Sequence, residues 1–150
     1  MRQQSDIRDG ATGRAVLLES FGGPENLVVR HVPAPQAGVG QIRVRVRAAG
    51  LNPMDWIMTS DAETAARFRL TLPTGYGTDF AGVVDQVGQG AAGYAVGDRV
   101  YGAAVSRALA DYVVVDADGD IVTGVAHHTP DGVDDRTAAT LAIAGSTAAA

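Results

Sequence analysis

The chain has 150 residues, a net charge of -5 at pH 7, twelve arginines, no lysine and no cysteine. Without cysteine there is neither a disulfide nor a thiolate metal site, without lysine there is no side-chain amine for a Schiff base, and an acidic balance makes nucleic acid a poor partner. Hydrophobic residues at 46% and charged residues at 19% suit one globular domain, which at this length buries roughly 70% of its unfolded surface.

No apolar run approaches the ~20 residues that span a bilayer, so no membrane insertion is expected. Met1-Arg2-Gln3-Gln4-Ser5-Asp6 has no apolar stretch behind its charge, which argues against a secretory signal and for a cytoplasmic location.

Residues 1–13 are polar and read as a flexible tail before a domain starting at Arg14. Residues 15–18 read as a strand, Phe21-Gly22-Gly23-Pro24 as a turn, and residues 27–32 as a second strand whose His31 is a packed or surface imidazole. The prolines and glycines of residues 33–40 make a connector. Residues 41–49 then alternate with period two, setting Arg43, Arg45 and Arg47 on one face; the solvated face of a half-buried strand is preferred to an anion site.

Gly50-Leu51-Asn52-Pro53 ends that strand, and Pro53 opens a short helix reaching Met58. Ser60-x-x-Glu63 has the form of a capping box before a second short helix, residues 65–69. Further strands are expected at residues 80–87, 99–101, 110–115 and 121–123, with His127-His128 in a following loop. After the Pro130-Asp131-Gly132 turn, Asp134-Asp135 starts an alanine-rich helical run to Ala150. The sum is a mainly β (α+β) domain, a barrel or partly open sandwich with short helices.

The most specific signal is Gly77-Thr78-Asp79-Phe80-Ala81-Gly82-Val83-Val84, followed by Val87-Gly88 and by Val96-Gly97-Asp98-Arg99-Val100. This ordered spacing resembles the GroES-like catalytic domain of medium-chain dehydrogenases/reductases. Phe21-Gly22-Gly23-Pro24-Glu25, Ala48-Ala49-Gly50-Leu51-Asn52-Pro53-Met54-Asp55, Leu109-Ala110-Asp111-Tyr112-Val113 and Ala144-Gly145-Ser146-Thr147-Ala148 match it in the same order. The resemblance implies a GroES-like partly open β-barrel over residues 14–135. It also implies a helix over residues 136–150 that leads to a nucleotide-binding domain absent from this chain.

Zinc-dependent members of that family have a cysteine near Asn52 and a His-Glu pair at Thr78-Asp79, so the resemblance points to the zinc-independent, quinone-oxidoreductase-like branch, with no metal. It implies a cleft set of Asn52, Asp55, Tyr76, Thr78 and Asp79 as catalytic candidates, with Asn52 and Thr147 facing NADPH. The residues themselves leave open that Asp55 and Asp79 only cap turns and that Tyr76 is a packed aromatic. Relatives commonly have a donor five residues after the Asn and an arginine two further on; here these are Ile57 and Thr59.

None of Gly38-Val39-Gly40, Gly75-Tyr76-Gly77 and Gly88-Gln89-Gly90 opens a helix in a β-α-β unit, so all three read as turns rather than pyrophosphate cradles. Two functions follow. One is the catalytic half of an NADPH-dependent reductase of a quinone, enone or similar small molecule, with no redox turnover expected of the 150 residues alone. The other is a cofactor-free binding protein or non-redox cyclase that uses the same cleft. Homodimerisation, or association with a cofactor-binding domain, is the expected partnership.

Overall fold

The computed structural model describes residues 10–150. Most of the expected tail lies outside the described residues, and the first strand, β1 (Thr12–Leu18), begins two residues ahead of Arg14. β1 pairs antiparallel with β2 (Leu27–Pro33) and with the short β4 (Thr74–Gly75) in a three-stranded sheet. The second sheet has five strands in the order β7-β3-β5-β6-β8, built from β3 (Gln41–Gly50), β5 (Asp79–Val87), β6 (Arg99–Ala103), β7 (Tyr112–Asp116) and β8 (Val125–His128). All its pairings are antiparallel.

The sheets curl toward one another where the segment before β7 meets β1. Val16 N–H donates to Leu109 O at 3.0 Å and Asp111 N–H to Arg14 O at 2.8 Å, beside an isolated Ala15–Ala110 bridge. The result is the expected mainly β, partly open barrel. Its core follows the period of two: Ile42 and Val44 from β3, Phe80 and Val84 from β5, Val100 from β6, and Val113 and Val115 from β7. Alternate residues on antiparallel strands project to one face, so these side chains meet inside the curl.

Strict alternation fails at Arg43. A register shift between Arg43 and Val44 breaks the period, and Arg43 is buried instead of solvated. Its guanidinium pairs with Asp85 (Nε to Oδ1 2.8 Å), reaches Pro35 O at 3.3 Å and lies 5.0 Å from the Tyr112 ring centroid. Arg45 and Arg47 are exposed, as the alternation predicts.

Three local expectations are also corrected. The second helix, α2 (Ala62–Arg67), is capped by Asp61, whose carboxylate accepts from Thr64 N–H at 2.8 Å, while Glu63 pairs with Arg67. A carboxylate competes better than the Ser60 hydroxyl for helix amides. Residues 121–123 form a turn, because Asp120 Oδ1 accepts from the Val122 and Thr123 amides at 2.8 and 3.0 Å; the strand is β8, and it carries His127 and His128.

The alanine-rich run starts where Asp134 caps Thr137 N–H at 2.7 Å, but it is not one helix. It divides into α3 (Asp135–Ala138), a π-helical turn (Leu141–Gly145) and α4 (Ser146–Ala149). Among the described residues no helix is long and apolar enough to cross a membrane.

Candidate active site

β3 ends at Gly50 beside Asp79, the first residue of β5. A Cβ on Gly50 would come within 2.6 Å of Ala139 O and 3.1 Å of the Asp79 Cβ, so glycine is what lets the C-terminal segment close over this corner. Leu51 and Asn52 then turn the chain into α1 (Pro53–Ile57), with proline at its first position.

The turn brings four of the expected residues together. Asp55 Oδ2 accepts from Asn52 N–H at 2.7 Å, Asp55 Oδ1 from the Thr78 hydroxyl at 2.7 Å, and Asp79 Oδ2 from Asn52 Nδ2 at 3.0 Å. Asp55, Thr78 and Asp79 are at most 1% exposed, and Asn52 is half-buried. Tyr76 is buried next to them.

The two carboxylates differ. Asp55 has a donor on each oxygen and doubles as the α1 cap, as one sequence reading allowed. Asp79 Oδ1 has no hydrogen-bond partner. Burial pushes the Asp79 carboxyl up; the Asn52 amide and the nearby Ile143 backbone amide pull it down, the latter without reaching hydrogen-bonding geometry; the charge of Asp55 adds a smaller upward push. Burial also raises the Tyr76 phenol, and Asp55 raises it further, against contact with the Thr59 hydroxyl.

Thr59 was legible only as a missing arginine. It is buried, and its hydroxyl donates to Asp55 O at 3.0 Å, bracing the end of α1. Ile57 is 53% exposed. Thr147 sits exposed on α4, and no hydrogen bond among the described residues joins it to the cluster.

Among the described residues no three His, Asp or Glu side chains converge as a metal group would require. His127 faces Tyr101, with ring centroids 5.4 Å apart; His128 stacks on Tyr94 and contacts Gly93 O at 2.8 Å; His31 is on the surface of β2. Gly75 lies in β4 and the other Gly-x-Gly sites lie outside helices. A cavity of about 330 Å³ and one of about 310 Å³ border β1, and neither is lined by Asn52 or Asp79.

Residues 38–126 match the alcohol dehydrogenase GroES-like domain, more than half of the chain. The chain belongs to this family. Its relatives there include quinone oxidoreductases: that of Pseudomonas aeruginosa is 34% identical over 134 residues, which cover 89% of this chain and 38% of that protein. The solved quinone oxidoreductase of Coxiella burnetii superposes with a TM-score of 0.82 at 28% identity, over 93% of this chain and 44% of that one. A mycobacterial protein solved with NADPH superposes at 0.75 and 28% identity, over 91% and 38%.

This chain therefore spans under half the length of these relatives. As a quinone-oxidoreductase-like member of the GroES-like family, it has the family signature on β5. That strand pairs with β3 and β6 on either side and delivers Thr78 and Asp79 to the corner where Asn52 begins α1.

Proposed function

We propose that this chain is the substrate-side half of a zinc-independent, NADPH-dependent reductase that acts on a quinone, enone or similar activated carbonyl or alkene. The observation that carries the reading is the Asn52–Asp55–Thr78–Asp79 cluster: amide, hydroxyl and carboxylate groups bonded to one another, with no imidazole or thiolate among them. Such a set orients neutral polar ligands and is a poor match for zinc.

The residues fit one end of the cofactor. Asn52 is half-buried, and its amide nitrogen, which gives one hydrogen to Asp79, has a second to offer a carboxamide or carbonyl oxygen. No Gly-x-Gly among the described residues opens a helix, so pyrophosphate binding is assigned to a nucleotide-binding domain, in continuation of this chain or from another. NADPH, when bound, supplies the hydride. Asn52 and Thr147 then orient the nicotinamide, Tyr76 and Thr78 border the substrate, Asp55 holds Asn52 and Thr78 in place, and Asp79 holds Asn52.

Exposed Ile57, without a donor, favours a second reading, a cofactor-free binding or cyclase role for the same cleft. NADPH fluorescence separates the assignments. The 150-residue chain alone is expected to give no saturable tight binding and no turnover, and gains quinone-dependent NADPH oxidation when joined to a family nucleotide-binding domain. Tight NADPH binding by the chain alone overturns the division of labour, and a joined protein that binds NADPH but never oxidises it favours the second reading.

A further inference from the structure

Ser106, in the turn between β6 and β7, has φ = 56°. Side chains other than glycine occupy this left-handed region at a cost, and residues held there are concentrated at ligand sites. The surroundings leave Ser106 no choice. The Arg107 amide donates to Gly77 O and to Ala104 O, both at 3.0 Å, the Ala108 amide donates to Gly77 O at 3.1 Å, and a Cβ on Gly75 would run into Ser106 O. Glycine would adopt the same turn freely, so what serine adds here is its hydroxyl.

That hydroxyl is short of a partner. Ser106 is 4% exposed, and among the described residues nothing hydrogen-bonds its side chain. A buried hydroxyl left unpaired is costly, so its partner has to come from the space it borders. This is the cavity of about 310 Å³ where β1 and the connector after β2 face β7. Its size is at the lower end of small-molecule sites, about 300–1,000 Å³. Leu17, Val32, Ala34 and Val113 give it apolar walls.

Arg107 borders the same cavity. Its guanidinium donates to Val114 O at 3.2 Å and to Thr123 O at 3.0 Å, and no carboxylate among the described residues comes within ion-pair distance of it. Asp116, whose charge Arg107 feels, bonds Gln41 Nε2 at 3.0 Å instead. The other cation at the cavity, Arg14, is matched by Asp111 through two bonds of 3.0 Å. An apolar chamber thus has one unmatched positive charge and one spare hydroxyl, on consecutive residues.

We propose that this cavity is a second small-molecule site, separate from the Asn52–Asp79 corner, which takes a monocarboxylate with a compact apolar body. The carboxylate accepts from the Ser106 hydroxyl and faces the Arg107 charge, while the ring or short chain fills the space beside Leu17, Val32 and Val113. A hydroxyl by itself would serve an alcohol or a carbonyl equally; the guanidinium adds the preference for an anion. Binding here needs neither NADPH nor a quinone, so it is independent of the proposed reductase role.

The test is an NMR titration of the ¹⁵N-labelled 150-residue chain with 4-methylbenzoate and, as its neutral counterpart, 4-methylbenzyl alcohol. Saturable shifts at Ser106, Arg107, Ala110 and Val113 are expected with the carboxylate, and binding about tenfold weaker with the alcohol, the scale of one charge-assisted hydrogen bond. Ser106→Gly separates ligand from fold. Glycine takes the positive φ without strain, so the variant is expected to melt close to the wild-type temperature yet bind 4-methylbenzoate about tenfold more weakly. Equal affinity for the two probes, unchanged affinity in a folded Ser106→Gly, or carboxylate shifts that bypass Ser106 and Val113 overturns the proposal. The comparison of the two probes on wild type decides it even where the variant is unstable.

Discussion

Asn52 and Asp79 meet across the junction of β3 and β5 through a single 3.0 Å hydrogen bond, which leaves the other Asp79 oxygen buried and unpartnered. That imbalance has a stability signature. A carboxyl whose pKa is raised in the folded state binds more protons folded than unfolded, so its contribution is fully present below the unfolded pKa and is lost as pH rises through the folded one. Thermal melts should show wild type losing stability over that window relative to Asp79→Asn, with the variant the more stable at neutral pH and the curves converging in acid.

Asp55 is the fully bonded carboxylate of the pair. Both its oxygens are used, one capping α1 and one holding Thr78. Asp55→Ala removes the cap and leaves a buried hydroxyl without its acceptor, a loss of about 2–3 kcal/mol read from urea denaturation.

The Arg43–Asp85 pair lies inside the fold at 2.8 Å, with the Arg43 side chain 5% exposed and that of Asp85 28% exposed. Removing the buried partner strands the other, so Arg43→Met should cost about 3 kcal/mol, softened because Asp85 keeps access to water. Asp85→Asn retains an acceptor for the guanidinium and should cost less by the same measurement.

Gly102 on β6 pairs with Ala126 of β8, and a Cβ there would run into the Val125 carbonyl oxygen and stand 2.9 Å from Phe80 Cζ. Gly102→Ala is expected to destabilise by about 1–3 kcal/mol and lower the melting temperature, because the strand pairing and the Phe80 ring must both shift.

Much of this was legible in the sequence because the informative residues act locally. Period two in residues 41–49 fixes β3, Pro53 fixes the start of α1, and the Gly77–Val84 signature fixes the strand that brings Thr78 and Asp79 to Asn52. What the sequence hid depends on partners far along the chain or on competition between neighbouring polar groups. Arg43 is buried because Asp85 and Pro35 come to it, and residues 121–123 lose their strand propensity to the Asp120 carboxylate.

The cover over Asp79 was equally hidden, since nothing in an alanine-rich run announces a π-helical turn with Ile143 above the carboxylate. Thr147 was the reverse case, a residue suggested by family position that the chain leaves exposed on its last helix.

The proposed reductase function makes the Asn52–Asp79 corner a metal-free site for an activated carbonyl ligand. The most direct measurement is an NMR titration of the ¹⁵N-labelled chain with 1,4-naphthoquinone, before and after treatment with a chelator. Saturable shifts centred on Asn52, Tyr76, Thr78 and Asp79 and unchanged by chelation are predicted. Shifts confined to the cavities beside β1, or binding that disappears with chelation and returns with zinc, would rule out a metal-free carbonyl site at this corner.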